Sequence, residues 1–174
     1  LTIGRTEGDM TYVKYKEQVF KVSSDIISFA NDSSYNIVSK LQALVDISEV
    51  KSVTVEYNGA EHTIDITHND SDMTFVLDGQ KVDTKITQAI YKSIVGLAVD
   101  GVYKDETLGD TVMKIKYKGI KSSSDTEIEF KSIDDLYCAL IRNGKTEFTI
   151  KKSKLNEFMD LFNTYVENPE KQGD

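Results

Sequence analysis

Between Tyr137 and Tyr165 the chain reads YCALIRNGKTEFTIKKSKLNEFMDLFNTY, and this stretch leaves little freedom of fold. Asn143-Gly144 separates two alternating apolar runs, and a two-residue hairpin turn needs side chains that accept positive φ at both positions. Leu136, Cys138 and Leu140 share one face of the first predicted strand; Phe148 and Ile150 share one face of the second. Leu155, Phe158, Met159, Phe162, Tyr165 and Val166 then recur at helical spacing, giving an amphipathic helix.

The same grammar appears upstream. Val53, Val55 and Tyr57 alternate up to Asn58-Gly59, and Ile64 and Ile66 alternate on the return. Met73, Phe75 and Leu77 lead to Asp78-Gly79, Lys81-Val82 closes that turn, and Asp83 or Thr84 can cap a helix carrying Ile86, Ala89, Ile90, Ile94 and Leu97 that stops near Gly96. In the last third Met113, Ile115 and Tyr117 alternate, a loop passes through Gly119 and Ser122 to Ser124, and Ile128 and Phe130 return. Near the start, Met10 to Tyr15 and Val19 to Val22 form a hairpin around Lys16-Glu17. Ser23 or Ser24 then caps a helix with Ile26, Ile27, Phe29 and Ala30, and a second helical pattern carries Ile37, Val38, Leu41, Leu44 and Val45.

These patterns predict an α+β fold of duplicated antiparallel β-meander plus helix units, the helices packed on one face of the sheets. Residues 1–49 read as a partial first unit of hairpin plus helices, 50–100 as a second ββββα unit, 101–167 as a third, and 168–174 as a disordered tail. Phe20 and Phe148, Val22 and Ile150, and Ile27 and Leu155 occupy matching places in the first and last copies. The period, roughly 60 residues, is too long for a standard solenoid.

Composition restricts the function. With 174 residues, 39% hydrophobic and 29% charged, the chain can bury a real core, and its net charge of −8 disfavours nucleic acid and anionic membrane surfaces. No apolar run approaches ~18 residues, so no transmembrane span is predicted. The chain starts at Leu1 without methionine and reads as a fragment, in which anything upstream, an anchor included, is not visible.

Candidate chemistry is sparse. The single cysteine, Cys138, has core parity and reads as a buried, inert thiol rather than a nucleophile. His62 and His68 share strand parity but stand ~20 Å apart on an unbroken strand, too far to hold one metal; neither has an acid or nucleophile partner evident in sequence. Asn69-Asp70-Ser71-Asp72 resembles the start of a calcium loop but lacks the glycine and glutamate that such a loop needs. Asp134-Asp135 could be paired carboxylates, yet falls where a turn is expected. Asn31-Asp32-Ser33 and Asn69-Asp70-Ser71 match the glycosylation sequon and carry no reading. Lys114, Lys116 and Lys118 alternate with the core, as do Glu127 and Glu129, giving a solvated charged face. We expect no catalytic residues, no metal and no cofactor, and leave the ligand-binding residues open.

The segments LTIG, TYVKY, QVFKV, VKSVTVEYNG, FVLDGQKVD and VGLAVDG together resemble the bacterial domain of unknown function 4340 family, from Leu1 to about Val166. The resemblance implies an exported, membrane-anchored bacterial protein, often a companion of ABC transporters of the gliding-motility type, and carries no catalytic residues over. The expectation is a non-enzymatic extracytoplasmic module that binds a protein or a cell-envelope component. The alternative is a small-ligand or glycan receptor with its site in the seam between units, where Tyr57, Tyr91, Tyr103, Tyr117 and Tyr137 could supply aromatic platforms.

Overall fold

Each Asn-Gly and Asp-Gly pair turns the chain as its chemistry requires: Asn58, Gly59, Asp78, Gly79, Asn143 and Gly144 all have positive φ. The computed structural model describes residues 1–31, 34–69, 72–104 and 107–167. The tail 168–174 therefore lies outside the described residues, as do Asp32, Ser33, Asp70 and Ser71 of the two sequons and the calcium-like stretch. The chain divides into two compact units, Leu1–Ser39 and Lys40–Asp174.

In the first unit β1 (Thr2–Glu7), β2 (Met10–Tyr15) and β3 (Gln18–Ser23) form an antiparallel sheet in that order. Tyr12 carries Arg5 and Lys21 over its ring and donates its hydroxyl to Glu7 at 2.9 Å. The helix expected after Ser23 is a 3₁₀ segment, Ser24–Asn31, with Ile26 and Phe29 exposed. A 3₁₀ turn eclipses positions three apart, so it cannot seat the α-helical stripe read from the sequence. Phe20, matched in sequence with the buried Phe148, is 45% exposed.

The second helical pattern also resolves differently. A four-residue helix, α1 (Ser34–Ile37), ends the first unit's part of it, and Leu41 to Val45 are not helical. The backbone carbonyls there are taken by distant partners. Lys40 O accepts from the Val99 N–H at 3.0 Å, Gln42 O from Arg142 at 2.6 Å and Ala43 O from the Tyr117 hydroxyl at 3.0 Å. Carbonyls used this way are lost to an i→i+4 ladder.

The second unit is built on one sheet of nine antiparallel strands. They are β4 (Val50–Tyr57), β5 (Ala60–Asn69), β6 (Asp72–Leu77), β7 (Gln80–Val82), β8 (Gly101–Val102), β9 (Thr111–Gly119), β10 (Thr126–Ser132), β11 (Tyr137–Arg142) and β12 (Lys145–Lys151). Their order is β7-β6-β5-β4-β9-β10-β11-β12-β8. Helices α2 (Thr84–Val95) and α3 (Lys152–Glu167) follow β7 and β12. The α+β class holds, with antiparallel pairing throughout.

Residues directly opposite each other on paired strands share a face. Ile64 opposes Val53, Val53 opposes Tyr117, Ile115 opposes Ile128, and Phe130 opposes Met113 and Leu140. All are buried, so the strands seal one common face. Burying each such side chain is worth about 1.5–3 kcal/mol. The helices bury Ile86, Ile90 and Ile94 of α2 and Leu155, Phe158, Met159 and Phe162 of α3. The opposite face carries the predicted charge mosaic: Lys116 opposes Glu127 and bonds Glu56, and Lys114 lies 3.4 Å from Glu129. Burial works to raise the Glu129 carboxyl, but bonds from Thr111 and Lys114 outweigh it and hold it below the usual range.

Two local points complete the frame. Leu136, expected on the core face with Cys138, is 68% exposed, because β11 starts only at Tyr137 and Leu136 belongs to the preceding turn. Gly119, at the β4–β9 bulge, admits no side chain: a Cβ there would lie 2.6 Å from both the Lys121 carbonyl and the Ser124 Cβ.

Candidate functional site

His62 opposes Val55, so its imidazole stands on the sealed side of the sheet. Its Nδ1 donates to Asp78 Oδ2 at 2.6 Å. Asp78 opens the turn between β6 and β7; its Oδ1 accepts from the Thr63 N–H at 2.8 Å, and its own N–H donates to Thr63 O at 2.9 Å. The Phe162 ring of α3 meets the imidazole edge-on at 5.7 Å. The sequence suggested no acid partner for either histidine, and His62 has one, 16 positions away. A carboxylate facing Nδ1 keeps the hydrogen on that ring nitrogen and fixes the orientation of the ring. Such a pair can orient a base, and it equally pins a turn to a neighbouring strand. His68 stands apart, its Nε2 donating to the Val50 carbonyl at 2.7 Å.

The other polar candidates hold backbone. Asp134 Oδ1 accepts from the N–H groups of Leu136 and Tyr137 at 2.8 and 2.7 Å, an Asx turn whose bonds pull its carboxyl below the usual range. Asp83 caps α2 through the Lys85 N–H, Asp46 caps a short 3₁₀ turn (Ile47–Glu49), and Asp125 takes the Gly119 N–H at 2.9 Å. Burial raises the Cys138 thiol, which has no exposed surface. Among the described residues no group of three His, Cys, Asp or Glu could hold a metal ion. No described helix is long and apolar enough to cross a membrane.

The five tyrosines do not converge. Tyr117 is buried, and its hydroxyl is tied to Ala43. Tyr103 sits just past β8, its N–H donating to Glu147 O, and Tyr137 begins β11. Tyr57 and Tyr91 line separate hollows. One, of about 290 Å³, lies at the end of the β4–β9 seam between Tyr57, Asn58, Glu61, Thr111 and Lys114. The other, of about 550 Å³, lies beside the start of β6 between Met73, Phe75, Ile47, Gln88 and Tyr91. A third hollow, of about 280 Å³, is lined by Gln42, Leu140 and Arg142 among others. The 550 Å³ groove joins residues from three separate stretches of chain, which no local pattern announces.

Comparisons with protein-family models, with curated proteins and with solved structures found no match for this chain.

Proposed function

We propose that the chain is a non-enzymatic extracytoplasmic interaction module of a membrane-anchored bacterial protein, accessory to an ABC transporter. In this reading residues 50–167 use one ββββα unit twice, joined through β4 and β9, with both helices on the sealed face. The strand order supports the duplication, because it runs outward from β4–β9 through four consecutive strands in each direction. The helix placement is supported by the course of the chain. After α2 leaves β7 at one edge, the chain pairs as β8 at the other; α3 leaves β12 and meets His62 on β5.

One observation carries the functional reading: the side chains able to do chemistry hold turns, caps and strand ends instead. Asp46, Asp83, Asp125, Asp134 and His68 each bond backbone. Location and company rest on the family resemblance. The test is a pull-down from cell-envelope extracts with the chain as bait. A transporter subunit or another envelope component is the expected catch, and repeated recovery of neither removes the proposal.

A second reading, a small-ligand or glycan receptor, is favoured by the hollow at the β4–β9 seam, where a tyrosine, an amide, carboxylates and a lysine meet. A thermal-shift screen of mono- and oligosaccharides then raises the melting temperature saturably for some member. Loss of that shift in Tyr57→Ala places it at the seam, and a flat response across the screen rejects the receptor reading.

A further inference from the structure

We propose that the hollow at the turn end of the β11–β12 hairpin binds a small zwitterion, of which a free amino acid is the simplest, with Arg142 and Lys145 on its carboxylate and Glu147 on its ammonium group. This goes beyond the interaction-module reading and does not depend on it.

Register brings the three charges together. Arg142 has the inward parity of Cys138 and Leu140, and Lys145 opposes it across the Asn143-Gly144 turn. Beyond that pair the ladder slips. Ile141 opposes Thr146 and Leu140 opposes Phe148, which leaves Glu147 as the extra residue of a bulge. Counted from Lys145, Glu147 is two places on and shares its face; Phe148 resumes that face one place later. A regular strand could not put Glu147 and Phe148 on one side. The bulge does, and these side chains line one hollow of about 280 Å³ together with Arg142, Lys145 and Leu140.

The fold leaves these charges for a ligand to answer. Like charges directly opposite each other destabilise a strand pair. Arg142 and Lys145 stand so, and neither they nor Glu147 form an ion pair among the described residues. Arg142 is half-buried, and the Gln42 carbonyl takes one guanidinium N–H at 2.6 Å. That bond holds the fork in place with donors to spare for a carboxylate. Leu140 and Phe148 form a buried apolar floor, and beside such a floor a charge pair is stronger than in open water. The lining selects by charge. A phosphate dianion would meet Glu147, and an amine without an acid would meet two cations. A molecule with one charge of each sign satisfies all three side chains. The volume lies just below that of sites for drug-sized ligands, so the occupant is small.

The probes are the free L-amino acids, titrated singly to millimolar concentration into the isotope-labelled chain and followed by amide NMR spectra. At least one is expected to shift the amides of residues 140–148 saturably. Its N-acetyl and carboxamide derivatives, each lacking one charge, are expected to bind about tenfold more weakly. Lys145→Gln and Glu147→Gln are the reporting variants, because both side chains are exposed and neither forms an ion pair among the described residues. Each is expected to weaken the free amino acid about tenfold. In Glu147→Gln the N-acetyl derivative then binds at least as well as the free amino acid, which a merely structural role for Glu147 would not produce. No saturable shift, shifts confined to residues outside the hairpin, an N-acetyl derivative that equals the free amino acid on wild type, or binding indifferent to both variants would overturn the proposal.

Discussion

Phe162→Ala lowers the stability of the Lys40–Asp174 unit by about 3–5 kcal/mol, while Leu161→Ala, one position earlier on the same helix, costs about 1 kcal/mol or less. Phe162 has no exposed surface, meets His62 edge-on and lies tilted against Phe158, whereas Leu161 is 37% exposed. Truncating the phenyl ring forfeits its transfer energy and leaves a cavity between α3 and β5 that the β5–β6 ladder cannot close by relaxing. At Leu161 water already reaches the side chain. The check is urea denaturation followed by far-UV circular dichroism, comparing midpoints at unchanged slope. Equal losses at the two positions would show that α3 does not meet the sheet through its Phe162 side.

How much of this was readable beforehand depended on the range of the interaction. The Asn-Gly and Asp-Gly turns are local chemistry, and all three form where the dipeptides stand. The core parity of β4, β5, β6, β9 and β10 is likewise a period-2 signal, and the helix stops and starts around Asp83 and Gly96 follow from capping. Residues 37–45 failed for the opposite reason. Their spacing suits a helix, but partners up to 100 positions away claim the carbonyls of Lys40, Gln42 and Ala43. Strand β8 is two residues long, and only its pairing with β12 makes it a strand.

The candidate sites divide the same way. Asp134 as a turn residue and Cys138 as a buried thiol needed only neighbours in sequence. The hollow beside Arg142 required the β11–β12 bulge, and the His62–Asp78 pair required the β5–β6 register. A one-residue slip of that register would move His62 to the other face and separate the pair.

The hydroxyl of Tyr117 makes the second large prediction, read through pH. Burial pushes this phenol far above the usual tyrosine range; the nearby Tyr91 adds to the shift and Arg142 opposes it. In the unfolded chain the same group ionises near pH 10. Above that pH the unfolded state binds fewer protons than the native one, so stability falls as pH rises, by about 1.4 kcal/mol per unit. The contribution is fully present below the unfolded value and drains away as pH climbs towards the folded one. Tyr117→Phe isolates it. At pH 8 the variant is the weaker protein by about 1–3 kcal/mol, because the Ala43 carbonyl loses its donor in a buried setting. Between pH 9 and pH 11 the deficit shrinks by about 1.4 kcal/mol, since phenylalanine has no proton to lose in either state. Tyr91 is shifted upward as well, chiefly by burial, but it titrates in both proteins and cancels from the difference. Urea midpoints at half-unit pH steps measure the gap. Curves that stay parallel from pH 9 to pH 11 would mean that the phenol is hydrated in the native state, and the segment 40–46 could not then be anchored to β9 through it.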